Sequence, residues 1–125
     1  VIAPTSFRAL IFLSTLLAAA SAHAAGDAAA GKLAFAKCAS CHAVGPYAQA
    51  GFGPQLRGIV GRRAGASGDY KYSAAMRKSG IVWTEDKLAA FMRAPKDVVP
   101  GTSMRFFGIG SEQQIADLLA YLRTQ

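Results

Sequence analysis

Metal-binding side chains are scarce in this chain, which carries two cysteines and two histidines among 125 residues. One histidine, His23, lies in a segment that reads as removable, so a structural zinc site lacks its fourth ligand. Long apolar runs are also missing. The one extended run, Ala9 to Ala20, falls short of the roughly 18 to 20 residues that a membrane-spanning helix needs. Arg8 precedes it and Ala22-His23-Ala24 follows as an A-x-A site, the layout of a secretory signal over residues 1–24, with the mature chain starting near Ala25. An uncleaved membrane anchor is the competing reading. Acidic residues are few, and loss of Arg8 with the leader leaves 13 basic against 7 acidic residues, a net of +6. That balance points to acidic partners. Lys and Arg are scattered and no nucleic-acid-binding motif accompanies them, which argues against nucleic acid. No internal repeat or low-complexity segment follows the leader. Residues 25–125 are therefore expected to form one domain, small enough to lean on a cofactor for part of its core.

What the chain does have is Cys38-Ala39-Ser40-Cys41-His42, a C-x-x-C-H pattern. Two thiols one turn apart can add across the vinyl groups of a haem, and the adjacent imidazole can then rise beneath the iron. A C-x-x-C pair can also be a redox disulfide, but that motif follows a strand within a βαβ unit. The residues before Cys38 read as helix instead. His42 is the one histidine left after removal of the leader, which makes it the candidate iron ligand.

Asp27 is the expected N-cap of a first helix running from Ala28 into the motif, with Gly31 and Phe35 on one face. Residues 43–79 are rich in glycine and turn residues and are expected to be loop, with a short helix near Ser73 to Lys78. A loop that long needs something to wrap around. Thr84 begins a second main helix with Glu85 and Asp86 in its first turn and Leu88, Phe91 and Met92 as its apolar stripe, and Pro95 is expected to end it. The final helix starts at Ser111 with an S-x-x-Q capping box to Gln114, and buries Ile115, Leu118, Leu119 and Leu122. Three main helices and no strand pattern give an all-α fold class.

Several stretches in this order resemble class I cytochromes c of the mitochondrial and bacterial type. They are Gly53-Pro54-Gln55-Leu56-Arg57-Gly58, Gly61-Arg62, Tyr70-Lys71-Tyr72-Ser73, Gly80-Ile81-Val82-Trp83, Pro100-Gly101-Thr102-Ser103-Met104 and Asp117 to Leu122. The likeness covers Gly31 to Leu122. It implies a cytochrome c fold with long loops wrapped around one haem c attached through Cys38 and Cys41. It also implies His42 and Met104 as the two iron ligands, and an electron carrier rather than an enzyme. Met76 and Met92 are the other methionines, but they belong to helices, whereas Met104 lies on a loop rich in Pro and Gly. By the same resemblance Pro54 offers its carbonyl to His42, Arg62, Tyr72 and Trp83 serve the haem propionates, and Thr102 belongs to the methionine side of the pocket. Gly31 and Phe35 would meet Leu118 and Tyr121 at a helix crossing. The expected setting is the periplasm, as a soluble monomer. The expected partners are acidic surfaces of redox proteins such as a cytochrome bc complex, a terminal oxidase or a reaction centre. A free carrier and a subunit of a larger complex both stay open, and a haem enzyme in which Met104 leaves the iron is the rival class. Lys37, Lys96 and Arg105 are expected to frame the exposed haem edge. Two departures from the mitochondrial pattern stand out, Phe91 in place of a tyrosine and Met76 in place of an asparagine. They imply a drier pocket, because a buried water typically needs about three hydrogen bonds.

Overall fold

The computed structural model describes residues 25–125; the leader expected over 1–24 lies outside them. Helix α1 (Ala28–Ala34) starts where the Asp27 carboxylate accepts the N–H groups of Ala29 and Ala30 at 2.7 and 3.3 Å. It tightens into a 3-10 turn over Phe35–Lys37. Two further tight contacts, Cys41 N–H to Cys38 O at 3.1 Å and His42 N–H to Cys38 O at 2.9 Å, complete the curl. The C-x-x-C-H segment is thus wound by the helix that precedes it.

Ser73 caps the short α2 (Ala74–Lys78), and Thr84 caps α3 (Glu85–Arg93) through its hydroxyl to Lys87 N–H at 3.2 Å. Pro95 ends α3 as expected, but the chain does not then pass directly into loop. It forms α4 (Pro95–Val98), with Pro95 in the first turn, where its missing N–H costs nothing. Helix α5 (Glu112–Leu122) begins at Ser111, whose hydroxyl accepts Gln114 N–H at 3.2 Å. The return half of the capping box is not made. Gln114 Oε1 instead accepts Lys37 Nζ at 2.8 Å, tying α5 to the turn before Cys38.

Helices α1 and α5 cross closely because Gly31 has no side chain. A Cβ there would overlap the Asp117 carbonyl and press on Tyr121 Cβ. The Phe35 and Tyr121 rings lie beside the crossing, centres 5.6 Å apart and planes tilted by 57°, and Leu118 is fully buried. The expected meeting of these residues is what the structure shows. β pairing among the described residues is limited to one isolated bridge, Arg63 with Val82, flanked by Trp83 N–H to Arg62 O at 2.9 Å and Gly61 N–H to Trp83 O at 2.8 Å. It brings Arg62 and Trp83 side by side. No helix of the described residues is long and apolar enough to cross a membrane. The architecture is all-α, with long loops closing around one side of the core.

Candidate functional site

Between the loops and the core lies a cavity of about 550 Å³, inside the range of about 300–1,000 Å³ found for cofactor sites. All nine residues proposed from the sequence, Cys38, Cys41, His42, Pro54, Arg62, Tyr72, Trp83, Thr102 and Met104, line it. Apolar side chains such as Phe35, Ile59, Leu88, Phe91 and Leu118 form much of the rest.

His42 is the most constrained of them. Its Nδ1 lies 2.7 Å from the Pro54 carbonyl oxygen. A carbonyl can only accept, so Nδ1 carries a proton, and in the neutral ring Nε2 then keeps its lone pair, the form that binds a metal. Gly53 makes room for the ring. A Cβ on Gly53 would stand 2.5 Å from His42 Cε1 and 2.8 Å from Nδ1. Gly53 N–H also donates to Cys41 O at 2.8 Å, and Leu56 N–H to Ala43 O at 2.8 Å, so this loop is laced to the C-x-x-C-H turn. Sequence reasoning singled out Pro54 and gave its neighbour no role; a glycine directly before the carbonyl-supplying proline is the signal that was there.

Both thiols are free of disulfide and border the cavity. Burial pushes the Cys38 thiol above the usual range; the Lys37 ammonium opposes this, and Cys41 adds to it more weakly. Lys37, Arg62, Arg63 and Arg105 also border the cavity, with no Asp or Glu among its lining. Lys96, expected at this rim, lies instead on the exposed face of α4. Arg63 was not foreseen there.

Arg62 donates through Nη1 and Nη2 to Arg57 O and Gln55 O at 2.9 and 2.6 Å. Tyr72 Oη accepts Ser67 N–H at 3.4 Å, which leaves its own proton available. Trp83 is 6% exposed, and its ring centre lies 4.9 Å from that of Phe91 with the planes tilted by 58°. Its indole N–H has no acceptor among the described residues. Three donors thus reach a cavity without acidic side chains, which suits a ligand that brings its own carboxylates. Thr102 Oγ1 accepts Met104 N–H at 3.3 Å. Met76 and Met92 share the cavity with Met104, so the structure brings three thioethers to the site and not Met104 alone. Phe91 and Met76, the two departures from the mitochondrial pattern, both line it. An apolar slot with two thiols, an Nε2 lone pair, thioethers and carboxylate donors fits a covalently held haem.

The chain is also similar to known proteins. The family model described as Cytochrome c matches residues 28–125. The chain is 45% identical over 112 residues to a cytochrome c2 of Rhodomicrobium vannielii, covering 90% of each. To a cytochrome c2 of Blastochloris viridis it is 44% identical over 117 residues, covering 93% of this chain and 92% of that one. Among solved structures it is similar to cytochrome cH from Methylobacterium extorquens, with a TM-score of 0.75, 44% identity and 80% of this chain against all of the other. Cytochrome c2 from Rhodospirillum centenum gives a TM-score of 0.72 at 31% identity, over 79% of this chain and 98% of the other. With a thiol pair, a metal-ready histidine and this likeness over nearly its whole described length, the chain belongs to the cytochrome c family, electron-transfer proteins with one covalently bound haem c.

Proposed function

We propose that the chain is a soluble periplasmic one-electron carrier whose haem is bonded to Cys38 and Cys41 and ligated by His42 and Met104. The observation that carries this reading is the His42–Pro54 hydrogen bond, which leaves Nε2 as a lone pair in the cavity shared by both thiols and Met104. When bound, the haem supplies a ferric/ferrous couple. The protein's part is to orient the ligands, keep the surroundings apolar and satisfy the propionates through Arg62, Tyr72 and Trp83. Thr102 steadies the backbone of the methionine loop. Met104 is preferred over Met76 and Met92 because it stands on a loop, whereas the other two are fixed on α2 and α3.

The rim supports acidic redox partners, such as a cytochrome bc complex, a terminal oxidase or a reaction centre. Lys37, Arg63 and Arg105 border the crevice, while Glu85 and Glu112 are paired elsewhere with Arg123 and Arg93. Positive charge around one opening steers an acidic surface toward it. Residues 1–24 are read as a cleaved signal peptide and 25–125 as the carrier, working as a monomer.

The test is the purified holoprotein. Its intact mass should equal residues 25–125, or a near neighbour of that start, plus one haem, and the oxidised form should show the red charge-transfer band of a methionine sulfur on ferric iron. Met104→Ala should abolish the band, whereas Met76→Leu and Met92→Leu should keep it. Loss of the band in either control with survival in Met104→Ala would reassign the ligand, and retention of residues 1–24 would sink the diffusible carrier.

A further inference from the structure

Among the described residues one polar side chain is buried, Gln55 at 8% exposure, and none of its side-chain hydrogen bonds goes to the C-x-x-C-H turn. A buried amide is costly unless its hydrogen bonds are made. Gln55 makes them to three separate stretches of chain. Its Oε1 accepts Arg57 N–H at 2.8 Å and Arg62 Nη1 at 3.2 Å. Both neighbours on that side are donors, so the amide oxygen must face them. Its Nε2 donates to Ser67 Oγ at 3.1 Å, and Ser67 N–H in turn donates to Tyr72 Oη at 3.4 Å. Arg62 and Tyr72 both line the crevice, whereas Gln55 and Ser67 do not.

The guanidinium is therefore held from behind. The Gln55 side chain and the Gln55 and Arg57 carbonyls occupy both Nη1 hydrogens and one on Nη2. Nε–H and the second Nη2 hydrogen have no acceptor among the described residues, and neither the Arg93–Glu112 nor the Arg123–Glu85 ion pair involves Arg62. An uncompensated, half-buried cation is fixed at the crevice with donors to spare.

We propose that Gln55 is a positioning residue for electron transfer: its buried amide sets Arg62, and through Ser67 the Tyr72 hydroxyl, as one unit facing the haem. The inference rests on the reading that Arg62 faces the haem carboxylates. A cation near the iron disfavours the extra positive charge of the ferric state, so displacing it stabilises that state and lowers the midpoint potential. Gln55 then tunes the potential without touching the cofactor.

A plain structural tie between loops would leave the same hydrogen bonds, so the test must separate the two. Midpoint potentials are measured by redox titration of the holoproteins Arg62→Leu, Gln55→Leu and the double variant. Arg62→Leu should lower the potential, Gln55→Leu should lower it by less, and the double variant should fall short of the sum of the two shifts, because most of the Gln55 effect passes through Arg62. Ser67→Ala, half-buried and away from the crevice, carries the same cycle should Gln55→Leu fold poorly. It should lower the potential in the unmodified protein and do so by less in the Arg62→Leu background. A Gln55→Leu or Ser67→Ala shift that persists undiminished without Arg62 would overturn the positioning role while leaving the Arg62 reading intact. An unmoved potential in Arg62→Leu alone would remove that reading, and the positioning role with it.

Discussion

His42 is held at its ring, by Pro54 and against Gly53, and at its backbone, by Cys38 O. Met104 is held by one backbone N–H on Thr102 and by apolar packing. Around it the main chain at Ser103 and from Arg105 to Gly108 makes no hydrogen bond among the described residues. The loop is pinned at its ends instead, by Thr102 N–H to Val99 O at 3.0 Å and Ile109 N–H to Met92 O at 2.9 Å. The difference is instructive. The orientation of the histidine is written into neighbouring backbone, whereas the methionine rides on a strap whose middle is placed by what it packs against and binds. Damage on the histidine side should cost stability and ligation together; damage to the strap should cost ligation first.

The largest effect is expected from Gly53→Ala. Its Cβ would press into the His42 ring at 2.5 Å, so the ring must move and release Pro54. We expect a loss of about 3 kcal/mol, at the upper end of overpacking costs, in denaturant unfolding of the holoprotein, together with poorer haem incorporation. Wild-type stability would show that the ring is not braced by this contact.

Gly108→Ala attacks the far end of the strap. Gly108 has φ +106° and its Cβ would overlap the Arg93 carbonyl, so a side chain there is both strained and crowded. The red sulfur band should fade while unfolding changes by only about 1–2 kcal/mol. A variant that unfolds as readily as Gly53→Ala would erase the contrast between the two sides.

A weaker strap also invites a replacement ligand at high pH, where an amine loses its proton. In mitochondrial relatives lysines of this loop take that role, but two of those places are held here by Asp97 and Ser103. Lys96 remains, on exposed α4. Lys96→Ala should abolish any lysine-ligated alkaline form, read from the ferric spectrum during pH titration; an unchanged alkaline spectrum would exclude Lys96.

The smallest expected signal is hydration. Phe91 and Met76 border the crevice with Thr102, and Thr102 alone cannot supply the roughly three hydrogen bonds that retain a buried water. A high-resolution structure of the holoprotein should show no ordered water between Thr102 and the sulfur of Met104.

Much of this was readable in the sequence because it depends on residues near one another in the chain. Asp27, Thr84 and Ser111 cap their helices, and Cys38 to His42 form one turn. The exceptions are tertiary. Gln114 reaches Lys37, 77 residues away, instead of completing its own cap. Gly53 matters only because His42 folds against it, and Gln55 only because Arg62 and Ser67 arrive from different loops. Pro95 reads as a stop from propensity alone; it also serves as a start, since its fixed φ suits a first helical turn.

The crossing of α1 and α5 has a consequence for the order in which the molecule takes shape. Asp27 N–H reaches the Asp117 carboxylate at 2.8 Å across a separation of 90 residues. Ideal-chain scaling puts the entropy of closing such a loop at about 4 kcal/mol, to be met by contacts that exist only once α5 is present. A chain emerging from its N-terminus therefore exposes Cys38 and Cys41 long before it can shut around them. Until α5 docks both thiols stay open to a haem, and the last helix acts as the latch.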